Sequence, residues 1–175
     1  MLTGEKIKLR ALEPTDLDVL YQWENDTTIW LVSGTMTPFS KLVLKQYILD
    51  AHQDIYTAKQ LRLMIELLKE KRPIGCIDLF DFDPKNKRAG IGILIGDTKV
   101  RNNGYASEAL NLLIQYTFKV IDLHQLYANI LTTNEQSMQL FKKYNFKKIG
   151  VKKDWIFSEG KWLDECTLQL INEKR

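Results

Sequence analysis

Ile91-Gly92-Ile93-Leu94-Ile95-Gly96-Asp97-Thr98-Lys99-Val100-Arg101-Asn102-Asn103-Gly104-Tyr105-Ala106 is the stretch on which the fold turns. Ile91 to Ile95 has the apolar character of a strand. A short polar loop follows, and Gly104 with its small neighbours then opens a helix that runs on through Leu110, Leu113, Ile114, Thr117 and Phe118 at helical spacing. The first-turn N–H groups of a helix have no partner within it and lie at the positive end of the dipole, so a glycine there lets an anion approach closely. Arg101 would add charge at that point. The residues alone leave a second reading open, in which Gly104 only permits tight helix–sheet packing and Arg101 is a solvated loop residue.

Working outward, Ile7 to Leu12 reads as a half-buried first strand ending at Glu13-Pro14. Pro14 then starts a helix carrying Leu17, Leu20, Tyr21 and Trp23. Ser40 is a fitting cap for a second helix through Leu44, Tyr47 and Ile48, and the irregular stretch Thr27 to Phe39 lies between the two. Gln60 to Leu68, Arg72 to Phe82 and Ala89 to Ile95 read as an antiparallel meander. Beyond the Gly104 helix come a strand at Leu126 to Leu131, a helix at Asn134 to Tyr144 stopped by Asn145, and two strands joined at Ser158-Glu159-Gly160. The order β-α-α-β-β-β-α-β-α-β-β predicts an α/β fold with a mixed, mostly antiparallel twisted sheet flanked by helices. Residues 1–175 are expected to form a single domain.

Composition narrows the class. The chain has 175 residues, 45% of them hydrophobic, and a net charge of +3. No basic arm or stripe points to nucleic acid. The first ten residues lack the apolar run of a signal peptide or membrane span, so a soluble, cytoplasmic protein without a membrane partner is expected. Cys76, Cys166, His52 and His124 are too scattered for a metal site or a disulfide framework, so no metal is expected and the cysteines read as core fillers.

Arg101-Asn102-Asn103-Gly104-Tyr105-Ala106 resembles the Arg/Gln-x-x-Gly-x-Gly/Ala pyrophosphate loop of the GNAT superfamily of acetyl-CoA-dependent N-acetyltransferases. Asn134, Ser137, Leu140, Lys143 and Phe146 fit a second pattern of that superfamily at the usual separation. Ile7 to Leu12 and the closing hairpin resemble the branch containing ribosomal-protein N-terminal acetyltransferases and spermidine acetyltransferases. Thr27 to Gln60 is matched only loosely.

The resemblance implies a GNAT-like fold in which Ile93, Leu94 and Ile95 offer their backbone to pantetheine on a strand splayed from its parallel neighbour. It implies that Arg101, Asn102, Asn103, Gly104, Tyr105 and Ala106 wrap the diphosphate and that Asn134 bonds the pantetheine arm, although Asn134 also suits an N-cap. Acetyl-CoA is then the co-substrate. Phe141 stands where many relatives place the tyrosine that protonates the departing thiolate. Tyr144 is an alternative acid, solvent is another, and Tyr144 also fits a plain helix-end role.

A primary amine must lose a proton to attack. The resemblance makes Asp78 the candidate base, with a surface carboxylate as the competing reading. Glu24 and Asp26 are candidates to attract a cationic acceptor, and Trp30 to wall it or to pin the loop to the core. The expected activity is direct acetyl transfer in a ternary complex to a small-molecule or peptide amine: a polyamine, a peptide amino terminus or an aminoglycoside-like amine. A homodimer is compatible with this reading. The absence of a hydroxyl at residue 141 motivates the rival of a non-catalytic acyl-CoA-binding or sensing module.

Overall fold

The computed structural model describes residues 1–173. Seven strands form one sheet: β1 (Ile7–Arg10), β2 (Leu61–Leu67), β3 (Pro73–Asp83), β4 (Arg88–Ile95), β5 (Gln125–Leu131), β6 (Lys147–Ser158) and β7 (Lys161–Ile171). Their spatial order is β1-β2-β3-β4-β5-β7-β6, so strands from both ends of the chain enter the same sheet. β4 and β5 are parallel and every other neighbouring pair is antiparallel. The helices are α1 (Leu17–Glu24), α2 (Trp30–Ser33), α3 (Lys41–Asp50), α4 (Ile55–Ala58), α5 (Tyr105–Lys119) and α6 (Glu135–Lys143).

The expected element order holds, with two short additions. The stretch between α1 and α3 is not wholly irregular, because α2 forms one turn there and ends on Gly34 in the left-handed region, φ 70°. The second addition, α4, follows the Asp54 carboxylate, which accepts from the Tyr56 and Thr57 amides, and ends on left-handed Lys59. The first strand stops at Arg10 rather than Leu12. Ser40 caps α3 by accepting from the Val43 amide, as its position requires.

Both faces of the central strands are covered. Leu63, Ile65, Ile77 and Leu79 belong to the main core, together with Ala109, Leu110 and Leu113 of α5. Met64 and Cys76 face the other way, onto Leu20 and Trp23 of α1 and Ile48 of α3. This explains the consecutive apolar residues Leu63, Met64 and Ile65 of β2, since a strand buried on both faces loses its alternation. Gly96 makes room for Trp23, whose indole ring fills the place where a Cβ would stand. No helix among the described residues is long and apolar enough to cross a membrane.

Candidate active site

The decisive feature is where β4 and β5 part. They pair only at Arg88 with Gln125, Ala89 with Leu126 and Gly90 with Tyr127. From Ala128 to Leu131, β5 stays bonded to β7, while Ile91 to Ile95 of β4 stay bonded to β3. The strands therefore open into a V with unpaired backbone along one wall. A cavity of about 850 Å³ occupies the opening, lined by Ile91, Gly92, Ile93 and Leu94 on one side and by Ala128 to Leu131 on the other. A Cβ on Gly92 would meet nothing within 4 Å, so this wall is bare where a side chain would project into the space.

At the end of β4, Asp97 caps the turn Thr98–Val100 by accepting from the Lys99 amide, and Arg72 holds its carboxyl below the usual range. The Arg101 guanidinium folds back onto the Ile95 carbonyl, donating from Nε at 3.1 Å and from Nη2 at 2.9 Å. Asn103 ties the loop together by donating to the Val100 and Arg101 carbonyls. Gly104 is left-handed, φ 83°, and brings no side-chain cap to α5. Its missing side chain leaves open space, so the first turn of α5 can be approached by a ligand. Lys143 Nζ lies 2.8 Å from Ser107 Oγ in that first turn and adds positive charge that the sequence reading did not assign. Asn102 completes the loop, accepting from Gln136 of α6 at 2.8 Å, and Tyr105 and Ala106 begin α5.

Asn134 does two things at once. Its Oδ1 accepts from the Ser137 amide at 3.1 Å and caps α6, and the residue also lines the cavity. Phe141 is 2% exposed, meets Phe146 edge to face at 5.0 Å, and lines the cavity. Tyr144 is not among the lining residues. Its hydroxyl lies 2.8 Å from Ser107 Oγ and so faces α5.

The charged end of the cavity is organised by Arg62, a residue the sequence reading passed over. Its Nε and Nη2 donate to the two Asp78 oxygens at 2.7 and 3.0 Å, and its Nη1 donates to Glu24. The guanidinium also lies over the Tyr47 ring at 5.5 Å. Burial works against its charge, but Asp78 outweighs that and holds its pKa above the ordinary value. Burial, with Asp78 adding to it, pushes the nearby Cys76 thiol up to about 12, which makes it inert as a nucleophile. Asp78 thus lines the cavity with both oxygens engaged, and each oxygen keeps a lone pair for a further donor.

The other acceptor-side candidates separate. Glu24 lines the cavity beside Asp78. Trp30 does not line it: its indole donates to the Glu24 carbonyl at 2.9 Å and pins α2 to the end of α1. Asp26 accepts from Thr28, which lowers its pKa, and it too is outside the lining.

The chain is similar to known proteins. A family profile described as an acetyltransferase (GNAT) domain covers residues 6–147. An uncharacterized N-acetyltransferase of Bacillus licheniformis is 28% identical, over 99% of this chain and 97% of that protein. The spermidine N(1)-acetyltransferase of Escherichia coli strain K12 is 26% identical, over 93% of this chain and 84% of that protein. Among solved structures, the spermidine N-acetyltransferase of Vibrio cholerae, in complex with CoA and spermine, superposes with a TM-score of 0.87 at 22% identity, covering 98% of each chain. That superposition shows that the two share a fold.

Proposed function

This chain belongs to the GNAT acetyltransferase family, and on that premise we propose that it moves an acetyl group from acetyl-CoA to a primary amine inside the cleft between β4 and β5. The observation that carries the reading is the end of β4–β5 pairing at Gly90, which leaves the Ile91 to Ile95 backbone free on one side beside a cavity large enough for a cofactor arm.

When bound, acetyl-CoA supplies an activated acetyl thioester. Ile93, Leu94 and Ile95 would hold its arm by backbone hydrogen bonds, and Asn134 would meet the arm from across the cleft. Arg101 to Ala106 would receive the diphosphate, with Arg101 turning from the Ile95 carbonyl to the anion. Glu24 and Asp78 lie at the acceptor end, where Asp78 accepts an N–H of the incoming amine on a lone pair that Arg62 leaves free. Asp78 is the proposed proton acceptor, directly or through water.

The neutral amine nitrogen attacks the acetyl carbon. Its new C–N bond forms as the C–S bond breaks, and backbone amides of β4 steady the charge that builds on the carbonyl oxygen. The sulfur takes its proton from solvent, a role supported by Phe141 in the cavity wall and by the Tyr144 hydroxyl being held at Ser107. A thiolate is a tolerable leaving group at neutral pH.

We take the whole chain as one acetyltransferase domain, a reading supported by the single sheet that contains strands from both ends. A homodimer is supported by Trp155, Phe157 and Trp162, all exposed on the outer β6–β7 hairpin. Release of free thiol from acetyl-CoA, followed with and without an amine panel, tests the activity. Amine-dependent release is the expected result. Binding of acetyl-CoA without amine-dependent release would favour the sensing module instead.

A further inference from the structure

We propose, resting on the acetyl-transfer reading above, that the acceptor is a monoamine carried on an apolar body and not a linear polycation. Three carboxylates line the cavity, from Glu24, Asp78 and Glu165. Arg62 pairs with the first two and Lys152 with the third. Two cations against three carboxylates leave one net negative charge, so a polyamine entering this space would bring two or more ammonium groups to a site that balances one. A buried cation without a partner is costly. A single amine is different, because one remaining lone pair on Asp78 suffices for it.

Ile29, Leu31, Val32, Met36, Phe39 and Phe80 face the cavity around the Glu24 end. Leu31 is 38% exposed, Val32 57% and Met36 88%. Leu31 and Val32 belong to α2, and Met36 to the segment that leaves the helix through left-handed Gly34; all three line the cavity. Apolar groups left uncovered beside a binding cavity gain by meeting an apolar ligand, at about fourfold in affinity for each methylene they take out of water. The same chemistry comes from two sources, a free arylalkylamine and a peptide whose first residue is large and apolar.

The test uses the full chain with saturating acetyl-CoA and compares kcat/KM for four acceptors. These are 2-phenylethylamine, a short peptide beginning with leucine, the same peptide beginning with aspartate, and spermidine. At least one apolar amine should exceed spermidine by about tenfold or more, the usual discrimination of an apolar pocket. The leucine-to-aspartate ratio separates the peptide source from the free amine. Spermidine equal to or better than both apolar amines would overturn the proposal. Val32→Glu and Met36→Glu, at exposed positions that do not burden folding, should each lower kcat/KM for the preferred amine by about fivefold or more while acetyl-CoA affinity stays unchanged. Unchanged kcat/KM in both would remove the wall from the argument and the proposal with it. If acetyl-CoA binds and no acceptor releases thiol, it is the acetyl-transfer reading that fails.

Discussion

Gly90 and Tyr127 are the last residues at which β4 and β5 pair, and the next residue, Ile91, already lines the cavity. The apex of the V is braced from both strands. The Phe80 ring fills the place where a Gly90 Cβ would stand, and it meets Tyr127 edge to face at 5.7 Å. The Tyr127 hydroxyl donates to Asp81 at 3.1 Å, and burial together with that carboxylate raises its pKa to about 12. The opening is thus built into the packing of β3, β4 and β5.

Gly92→Val tests whether the bare wall receives the cofactor. Gly92 has no positive φ, and nothing lies within 4 Å of the place a Cβ would take, so valine should fold without strain and fill the cleft. CoA affinity, measured by calorimetry, should fall about tenfold or more, a cost of about 1.4 kcal/mol, with little change in Tm. Unchanged affinity would move the cofactor off this wall.

Asn134→Ala separates capping from binding. Loss of the bond to the Ser137 amide should cost about 1 kcal/mol of stability. The rise in Tm that CoA produces should also shrink, because the residue lines the cavity. An identical Tm loss with and without CoA would leave Asn134 as a cap alone.

Tyr144→Phe should lose its bond to Ser107 and about 1 kcal/mol of stability, with kcat within about threefold of the parent. A general acid would instead be worth about 10²-fold or more. Stopped turnover with normal CoA binding would restore Tyr144 to the mechanism.

Asp78→Asn keeps the shape of the carboxylate but removes the proposed proton acceptor. Steady-state kinetics should show kcat lowered by about 10²-fold with acetyl-CoA affinity preserved. A kcat near that of the parent would assign the proton to water alone.

Stability should fall in acid through Glu66, which is 7% exposed. Burial acts to raise its pKa, but hydrogen bonds from Arg10 and Lys8 outweigh it, and the folded value lies below the ordinary 4.5. Because the folded pKa is depressed, its contribution is complete above about 4.5 and disappears as the pH drops through the folded value. Urea midpoints of the parent should exceed those of Glu66→Gln at pH 7, and the gap should close below pH 4.5. A gap independent of pH would contradict this.

The parts of the site that lie close together in the chain were legible in the sequence. Gly104 and Asn134 announce themselves through local rules, a left-handed entry to α5 and a cap on α6, and the resemblance added their ligand. The two short helices were missed because each is one turn, set by its end residues and not by periodicity. Arg62 was missed because its role depends on register. The β2–β3 hairpin centres near Glu70, and counting eight residues outward in each direction sets Arg62 opposite Asp78. That cross-strand pair of opposite charges was a readable signal. Trp30 was harder, since the direction of its indole follows from how α2 docks on α1, and no sequence spacing reports that.

Hydrogen exchange with and without CoA tests the central claim most directly, because it locates the ligand on the backbone itself. Ile91 to Ile95 and Arg101 to Ala106 should gain protection on CoA binding, since the first segment has no partner on its β5 side and the second holds the open first turn of α5. Arg88 to Gly90, already paired with β5, should change little. CoA binding that leaves both Ile91–Ile95 and Arg101–Ala106 unprotected would contradict the account.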